Sequence, residues 1–388
     1  MFHLLVRQSL GVSGCRKTSN LFINMKRTLV VILSWILLAA SVQAQFQWAE
    51  PIATTTSALT GGQAAGMTLD SRDNIYVTGW FDGTNDFGGV TLTNESFGGE
   101  DIFVAKYNSS GALQWVRRAG GSPGNFNFGQ GVGVDTSGNV YVTGGFSGPA
   151  DFGSTNLPGS LDGSQAFFLA KYDNGGTVQW VQQSSGYSDV NGNGLAVDGA
   201  GNSYAVGYNN DGETITFGLK TLVNPSTDGY SGFLVKYDTT GTAQWAQSLG
   251  GDDEVWTTKV AVDTNGNVYV RGSFGSKKTS GATLTIGTSN LVCIGSLKNM
   301  FLAKFDNSGA LIGLQHPTGG NVDDGGVAVD QARNMYVTGW FDGTLDFGGG
   351  VSLISSGATN NAFLAKYSSS GAIQWARKAG GQYFRARQ

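Results

Sequence analysis

The sequence carries little charge and contains very few cysteine and histidine residues. Charged residues make up 13% of the 388 residues, and the formal net charge is −4. Globular proteins usually carry about twice that share of charge. With so small a net charge and no basic stripe, we expect no nucleic-acid partner, because nucleic-acid-binding proteins neutralise phosphates with clustered lysine and arginine.

The chain has two cysteines, and only one of them falls in the expected mature protein. Cys15 falls in the expected N-terminal leader, so Cys293 is the only thiol of the expected mature chain. The fold is therefore expected to depend on burial and hydrogen bonding alone. Cys293 stands in the apolar run 291–294, which favours a buried small hydrophobic side chain over a reactive thiol.

The scarcity of histidine bears on catalysis. His316 is the single histidine of the expected mature chain, and beside Pro317 we expect it to be solvated in a loop. A nucleophilic triad needs a histidine oriented by a partner, and neither zinc-ligand spacing nor a phosphate-binding glycine loop is present. We therefore expect no catalytic residues. A polysaccharide-acting enzyme with scattered carboxylates remains the alternative.

The N-terminal region has the pattern of a secretory signal peptide. A basic start, an apolar run over Leu29–Ala40 and a small-residue cleavage pattern follow one another. We predict a signal peptide over residues 25–44, no transmembrane span in the mature chain and a secreted or cell-surface protein. An uncleaved membrane anchor is the alternative. Residues 1–24 are interpreted as a mis-assigned extension ahead of the true start.

A unit of roughly 65 residues occurs five times in the chain. A fixed period means that each unit buries its apolar face against its neighbour, so residues 45–388 are expected to form a single repeat domain. The copies cover residues 66–118, 131–183, 194–248, 259–315 and 326–378. An aspartate, a tyrosine and a lysine recur at matching positions in all five copies. The aspartates are Asp70, Asp135, Asp198, Asp263 and Asp330. The tyrosines are Tyr76, Tyr141, Tyr204, Tyr269 and Tyr336, and the lysines are Lys106, Lys171, Lys236, Lys304 and Lys366.

Each copy predicts four β-strands, which we name A to D. In the second copy, two β-rich runs flank the turn at residues 135–139, and two more flank the turn at residues 173–176. No helical period is present. Four-stranded antiparallel units in tandem are typical of an all-β protein of the β-propeller class, here with about five blades. A β-solenoid and a truncated member of a larger ring are the alternatives.

The sequence motifs of the repeats resemble those of a known family. Val-Asp-x-x-Gly-Asn-Val-Tyr-Val-Thr-Gly, Asp-Phe-Gly-Gly, Phe-Leu-Ala-Lys-Tyr and Gln-Trp-Ala are similar to the bacterial β-propeller repeat family known as SBBP, over nearly all of residues 46–381. The resemblance implies an exported or surface-attached protein. The motifs of that family carry no chemistry, so the resemblance implies no ligand.

Residues that recur in every blade are interpreted as structural. The lysines of strand C could bind an anion as a ring, but we favour pairing with the recurrent aspartate of the same blade. The strand-D tryptophans are expected to pack between blades, and the fourth copy has Gly313 in their place, which predicts the loosest blade edge there. These tryptophans are Trp48, Trp115, Trp180, Trp245 and Trp375.

The connections between strands predict where a ligand binds. The A–B and C–D turns are short and uniform, whereas the D–A and B–C connections are long and differ in every copy, so the face formed by the latter is expected to bind. Aromatic rings beside carboxylates suit glycan binding, although tryptophans there could equally pack the fold. The candidates are Trp80, Asp82, Phe126, Phe128, Trp256, Trp340 and Asp342.

Acidic loop residues suggest a Ca²⁺ site as a secondary hypothesis, because carboxylate and amide oxygens are the ligands that Ca²⁺ prefers. None matches EF-hand spacing, and solvated loop charge is the favoured reading, so no cofactor is expected. The candidates are Asp189, Asn191, Asp252, Asp253, Glu254, Asp323 and Asp324.

Two functional hypotheses follow. The first is an exported, non-catalytic propeller that binds a glycan or a surface protein through its variable loops. The second is a structural or interaction module, or a truncated part of a larger surface protein, without a ligand of its own.

Overall fold

The predicted all-β architecture is confirmed in the computed structural model. Within the described residues the chain forms 32 strands and no helix, and these residues belong to one unit, Glu50–Gln388. The predicted extension 1–24, the signal peptide 25–44 and Trp48 lie outside the described residues. The structure describes residues 54–55 and 61–380, apart from 96–97, 122, 161–162, 187–188, 211–213, 225, 227–228, 276–280, 294–297, 324 and 357–360.

The first three repeats each form a blade, an antiparallel sheet in the order A-B-C-D, with a small insertion hairpin between strands B and C. Strand β1 (Thr54–Thr55) precedes them. Blade 1 contains β2 (Gly62–Leu69), β3 (Ile75–Phe81), the hairpin β4 (Thr84–Asp86) and β5 (Thr91–Thr93), β6 (Asp101–Tyr107) and β7 (Leu113–Ala119). Blade 2 contains β8 (Asn127–Val134), β9 (Val140–Ser147), the hairpin β10 (Ala150–Asp151) and β11 (Asn156–Leu157), β12 (Gln165–Tyr172) and β13 (Val178–Ser185). Blade 3 contains β14 (Val190–Val197), β15 (Ser203–Asn209), the hairpin β16 (Thr214–Phe217) and β17 (Lys220–Val223), β18 (Ser231–Tyr237) and β19 (Ala243–Gly251).

The last two repeats follow the same plan, except that strand A of the fifth is interrupted. Blade 4 contains β20 (Val255–Val262), β21 (Val268–Phe274), the hairpin β22 (Thr283–Ile286) and β23 (Ser289–Val292), β24 (Asn299–Phe305) and β25 (Leu311–Gln315). Blade 5 contains β26 (Val322–Asp323) and β27 (Val327–Val329) as its strand A, then β28 (Met335–Phe341), the hairpin β29 (Thr344–Asp346) and β30 (Ser352–Ile354), β31 (Asn361–Tyr367) and β32 (Ile373–Ala379).

Strand C is among the most buried elements of blades 1 to 4, because strands B and D flank it within each sheet. All seven residues of β6 and of β18 are buried. Its phenylalanine packs against a ring from the insertion hairpin, with centroid separations of 5.0 Å between Phe87 and Phe103 and 4.9 Å between Phe217 and Phe233. Such edge or tilted ring pairs add to the free energy gained by burial alone.

The insertion hairpins also join successive blades. The hairpin of blade 3 pairs with the end of strand D of blade 2 through Ser184–Phe217 and Ser185–Thr216, and the hairpin of blade 4 pairs with strand D of blade 3 in the same way. Single bridges, Gly120–Asp151 and Thr318–Asp346, make the equivalent connection at the first and last joints. Part of each of these long B–C connections is therefore paired in a sheet and is not a free loop.

Strands A of successive blades pack beside one another from blade 1 to blade 5. Within the part of the chain that the structure describes, blade 1 does not pack against blade 5 as consecutive blades do. Apolar side chains at both ends are accordingly exposed: Met67 of strand A in blade 1 is 71% exposed, and Leu364 of strand C in blade 5 is 38% exposed. The matching Leu234 of blade 3 is fully buried by the next blade.

Candidate functional site

The A–B and C–D turns, which together we call the turn face, hold the recurrent aspartates. Asp135 Oδ1 accepts hydrogen bonds from the backbone N–H groups of Ser137 (2.9 Å) and Asn139 (2.8 Å), and Oδ2 accepts one from Asn139 Nδ2 (2.7 Å). The Tyr141 hydroxyl lies 3.3 Å from the same carboxylate and 3.0 Å from the carbonyl of Gly201 in the next blade. The other four blades repeat the contacts of this carboxylate with its turn and its tyrosine.

The expected pairing of each lysine with the aspartate of its own blade needs correction. The tyrosine hydroxyl contacts the aspartate, and the lysine ammonium instead lies over the tyrosine ring, 5.0 to 5.4 Å from the centroid in all five blades. Lys171 Nζ then donates to the carbonyl of Thr239 in the next blade at 3.2 Å. The cation therefore stabilises the joint between blades through the ring and a neighbouring carbonyl.

The strand-D tryptophans lie at these joints. Trp180 Nε1 donates to the same carbonyl of Thr239 at 3.1 Å, and Trp115 Nε1 donates to the carbonyl of Asn174 at 2.9 Å. Trp115 is 8% exposed. Trp115, Trp180 and Trp245 thus pack on the C–D turn of the following blade, between blades as predicted.

Cys293 and His316, which both belong to blade 4, also have defined surroundings. Cys293 is 2% exposed, which agrees with its interpretation as a small hydrophobic side chain, and burial raises the pKa of its thiol. His316 is not the solvated loop residue that the sequence suggested. Its Nε2 lies 3.0 Å from Asn299 Oδ1, its ring is 5.2 Å from that of Phe274, and burial lowers its pKa.

The D–A and B–C connections form the opposite face, which we call the loop face. Strand A approaches it through a β-bulge at the same position in the first four blades, with one extra residue between the paired ones. The extra residues include Gln130, Asn193 and Thr258. A bulge redirects the side chain of its extra residue, so these polar side chains depart from the regular alternation of the strand.

The glycine after the bulge allows strands A to approach one another closely. A Cβ atom on Gly131 would lie 3.0 Å from the backbone nitrogen of Leu195, and one on Gly194 would lie 2.9 Å from the carbonyl of Thr258. Blade 4 departs from this rule, because Lys259 occupies the position and is exposed.

The bulge residues line a cavity of about 500 Å³, which we call the A-strand cavity. Its polar wall is formed by Gln130, Asn193 and Thr258, with Lys259 and Gly325 beside them, and its aromatic wall is formed by Tyr208, Trp256 and Trp340. The volume is within the range typical of small-molecule sites, which combine apolar walls with a few directed polar groups.

The aromatic wall is part of a larger ring cluster. Trp256 lies 4.7 Å from Tyr208 and 4.3 Å from Tyr230, centroid to centroid, and its Nε1 donates to Glu254 Oε2 at 3.3 Å. Burial and the neighbouring Tyr230 raise the pKa of Tyr208. The Tyr208 hydroxyl therefore stays protonated at neutral pH.

The remaining predicted aromatic candidates lie elsewhere. Trp80 contacts Phe128 at 5.1 Å in an edge-to-face arrangement, and Phe128 stacks on Phe126 at 6.4 Å. Trp80 and Trp340 occupy the same place in near-identical segments, yet only Trp340 lines the A-strand cavity. Phe126 is 45% exposed.

The two predicted carboxylates of this group contact the backbone of their own blade. Asp82 Oδ1 accepts from the N–H of Gly61, and Asp342 Oδ1 accepts from the N–H of Asn321 at 3.1 Å. Both therefore hold the start of strand A in place. Hydrogen bonding to a ligand is a prediction that these contacts leave untested.

The acidic Ca²⁺ candidates are dispersed, and each described carboxylate has a local contact. Asp189 Oδ1 accepts from the N–H of Gln165 (2.8 Å), Asp252 Oδ1 from the N–H of Thr283 (2.6 Å) and Asp253 Oδ1 from the N–H of Glu254 (2.7 Å), and Asp323 pairs with Lys298 (2.7 Å). Asn191 Nδ2 donates to Gln165 Oε1 at 2.5 Å. Asp324 lies outside the described residues. Among those described, three or more acidic, cysteine or histidine side chains do not come together as a metal-binding group.

Sequence reasoning did not anticipate the role of Arg271. This arginine is fully buried, and it donates to Thr258 Oγ1 at 3.2 Å and to the carbonyl of Asp323 at 3.0 Å. It therefore supports a residue of the cavity wall and connects blade 4 to blade 5. The feature of the sequence that could have indicated this role is an arginine in strand B at the position where blades 1, 2 and 5 have threonine.

Comparison with known proteins identifies the repeats. The family model described as SBBP, beta-propeller repeat, matches residues 114–144, 179–211 and 244–273. The chain carries SBBP-type beta-propeller repeats. Each match runs from strand D of one blade into strand B of the next, so these repeats include the tryptophan, the bulge and the aspartate turn.

The known proteins that this SBBP-repeat chain matches are distant relatives. An uncharacterized WD repeat-containing protein of Acanthamoeba polyphaga mimivirus is 23% identical, and the match covers 76% of this chain and 25% of that protein. The chain thus spans about a quarter of the length of that relative. A crystal structure of a protein of unknown function from Dyadobacter fermentans is 11% identical, with a TM-score of 0.37, over 85% of this chain and 99% of that one. In the described part of the chain, no helix could span a bilayer.

Proposed function

We propose that this SBBP-repeat chain is an exported, non-catalytic binding protein whose A-strand cavity holds a sugar ring of a glycan. The observation that carries the proposal is the combination of tryptophan and tyrosine rings with amide and hydroxyl groups in the lining of one cavity of about 500 Å³. The apolar face of a sugar can pack on Trp256 or Trp340. Its hydroxyls can exchange hydrogen bonds with Gln130, Asn193 and Thr258.

The chemistry of the cavity wall favours binding over turnover. Glycoside hydrolysis needs a general acid and a second carboxylate on opposite sides of the bond that is cleaved. Among the described residues that line the cavity, neither a carboxylate nor an imidazole occurs. The wall therefore offers contacts that could bind a sugar, without the pair of carboxylates that hydrolysis needs.

Export is the second element of this proposal. It rests on the signal-peptide pattern over residues 25–44 and on the presence of a single cysteine after that segment. A buried thiol at Cys293 is compatible with an oxidising compartment, because it offers no accessible partner for disulfide exchange.

A glycan-array screen with the purified protein, with and without Ca²⁺, tests the proposal. We expect a saturable hit that is unaffected by chelation. Trp340→Ala and Trp256→Ala should each weaken that hit by about fivefold or more, because a buried aromatic contact contributes over about 1 kcal/mol to binding. Trp80→Ala is the matched control, since Trp80 occupies the same repeat position outside the cavity. Equal losses in all three variants would contradict the assignment of the cavity, and a chelation-sensitive hit would transfer the site to the acidic loops.

A second candidate function is an interaction module. It is favoured by the apolar residues exposed at the ends of the blade array, namely Met67 (71% exposed), Leu69 (54%) and Leu364 (38%). Exchange of all three for serine should abolish capture of a protein partner under this alternative and leave glycan binding intact under the first.

A further inference from the structure

Three of the four joints between blades contain an indole ring in the same place. Trp115, Trp180 and Trp245 each lie against the last glycine of the next C–D turn. A Cβ atom on that glycine would come within 2.7 to 2.9 Å of the ring. The indole N–H of each donates to the turn carbonyl two residues before the glycine, at 2.9, 3.1 and 3.0 Å. The turn is therefore shaped to hold an indole.

The joint between blades 4 and 5 has the receiving turn but no ring. Gly313 occupies the tryptophan position, whereas Gly371 keeps the left-handed conformation of the receiving glycine, with φ of 87°. The equivalent turn carbonyl, that of Ser369, accepts from Lys304 Nζ at 3.2 Å. The carbonyl of Thr239 in blade 3 accepts from a lysine at the same distance and also from Trp180. A carbonyl oxygen has two lone pairs, so that of Ser369 can accept an indole N–H as well.

A cavity of about 190 Å³ remains where the ring would be. Tyr269, Leu302 and Met335 contribute to its wall, together with the backbone of Gly313. For comparison, an engineered apolar cavity of about 150 Å³ in another protein binds benzene. The space is therefore sufficient for an aromatic ring.

Gln315 occupies part of the vacant space and can leave it. Its Nε2 lies 2.9 Å from where a Cβ atom on Gly371 would be, the place that the indole takes at the other joints. At the joint between blades 3 and 4, the matching Gln247 instead donates to the carbonyl of Gly309 at 2.9 Å, with Trp245 present. The same rotation of Gln315 toward the carbonyl of Gly371 would open the site.

A second substitution makes the edge of this cavity apolar. Ile312 stands where the other copies have glutamine, at Gln114, Gln179, Gln244 and Gln374, and it is 52% exposed. The loss of the tryptophan is thus accompanied by the gain of an exposed apolar side chain that lines the cavity.

We propose that the joint between blades 4 and 5 is a second binding site, which takes an indole ring supplied from outside the joint. The ring would pack on Gly371 between Tyr269 and Ile312, and its N–H would donate to the carbonyl of Ser369. Free indole and the side chain of a tryptophan in a peptide share this chemistry. The site is separate from the A-strand cavity and does not depend on its function.

Binding of indole to the full chain tests the proposal, measured by ligand-detected NMR titration and by thermal unfolding. We expect saturable binding and a rise in the unfolding temperature. 1-Methylindole, which lacks the N–H donor, should bind about three- to tenfold more weakly, as expected for the loss of one hydrogen bond. Indole should also slow hydrogen exchange over residues 308–318.

Gly313→Trp provides the decisive variant, because it restores the tryptophan of the other blades. A Cβ atom at Gly313 meets only Lys304 Cβ, at an ordinary contact distance of 3.5 Å. This variant should be more stable than the parent and should not bind indole; Gly313→Leu, which also fills the space, serves if Gly313→Trp fails to fold. Unchanged indole binding in the filled variant, or no binding to the parent chain, would overturn the proposal.

Two further measurements define the source of the ring. N-acetyl-tryptophanamide that binds as tightly as indole would assign the site to a tryptophan side chain, and exclusion of this amide would assign it to a free aromatic molecule. Trp245→Gly is the positive control, since it creates the same vacancy between blades 3 and 4. Indole should partly restore the stability that this change removes.

Discussion

The turn face and the loop face are formed by the two ends of the same strands, yet their polar groups differ in what they contact. On the turn face, an aspartate, a tyrosine, a lysine and a tryptophan contact one another or the next blade in successive repeats. On the loop face, the bulge residues Gln130, Asn193 and Thr258 differ from blade to blade and line a cavity. Recurrence in the sequence therefore marks residues that stabilise joints, whereas the divergent residues at a matched position line the cavity in which we propose that a glycan binds.

The loss of a tryptophan at a joint between blades should have the largest effect on the free energy of unfolding. Trp115→Ala should lower the free energy of unfolding by about 3–5 kcal/mol, because it removes a buried ring and the hydrogen bond to Asn174. Urea denaturation measures the change. Gln114→Ala, an exposed neighbour on the same strand, is the control and should have little effect. A loss below about 1 kcal/mol for the tryptophan would show that the joints do not hold the blades together.

A smaller loss is expected from the turn aspartate. Asp135→Ala should cost about 2–3 kcal/mol, since hydrogen bonds to a charged group contribute more than neutral ones and Asp135 is buried. Asp135→Asn keeps one acceptor oxygen for the backbone N–H groups of Ser137 and Asn139, so it should recover part of the loss. Thermal unfolding of both variants gives the comparison, and an asparagine variant no better than alanine would assign the effect to charge.

The two faces should also respond differently to pH. Burial raises the pKa of Asp263, but hydrogen bonds from Asn267, Asn265 and Tyr269 outweigh it and hold the pKa below its usual value. The same holds for Asp70. A depressed folded-state pKa stabilises the protein above the unfolded-state pKa of about 3.9, and this stability is lost as pH falls through the folded value.

The unfolding temperature should therefore fall steeply below about pH 4, with a smaller decrease from about pH 7 to 5 because the folded state disfavours protonation of the partly buried His316. Glycan binding should not change over the same upper range, because the described lining of the A-strand cavity carries no carboxylate. A binding affinity that changes between pH 5 and 7 would instead place a titrating group at the site.

The smallest effect on stability is expected at a bulge residue of the cavity. Gln130→Ala should change the free energy of unfolding by no more than about 0.5 kcal/mol and should weaken glycan binding. Asn193→Ala is the comparison, since Asn193 Nδ2 donates to the carbonyl of Thr257 in the next blade at 3.0 Å. Calorimetric titration and urea denaturation on both variants separate binding from stability. A large loss of stability in Gln130→Ala would remove the distinction between the two faces.

Residues that obey the repeat could be predicted from the sequence because their contacts are local or identical in every blade. The strands, the aspartate turns and the tryptophans between blades are of this kind. The lysine contacts could not be predicted, because a choice between a carboxylate and a tyrosine ring depends on the position of the next blade. The sequence alone also could not separate Trp80 from Trp340, whose segments are nearly identical but whose neighbouring blades differ.

The candidate site could not be predicted in this way, because it depends on how strands of different blades are placed relative to one another. The bulge places Gln130 in the cavity only because strands A from several blades meet there, and the polar residue between two glycines was the available signal. Arg271 reaches Asp323 across a separation of 52 residues. Such contacts follow from the arrangement of blades, which the repeat pattern predicts only in outline.

The pairing of insertion hairpins with the preceding blade affects how the chain resists a pulling force. Separating two blades requires the rupture of main-chain hydrogen bonds, in addition to the removal of rings from their turns. The central joints have two residue pairs each, and the outer joints have single bridges. A chain pulled from its ends should therefore yield first at the outer joints, in separate steps, while its centre continues to bear the load.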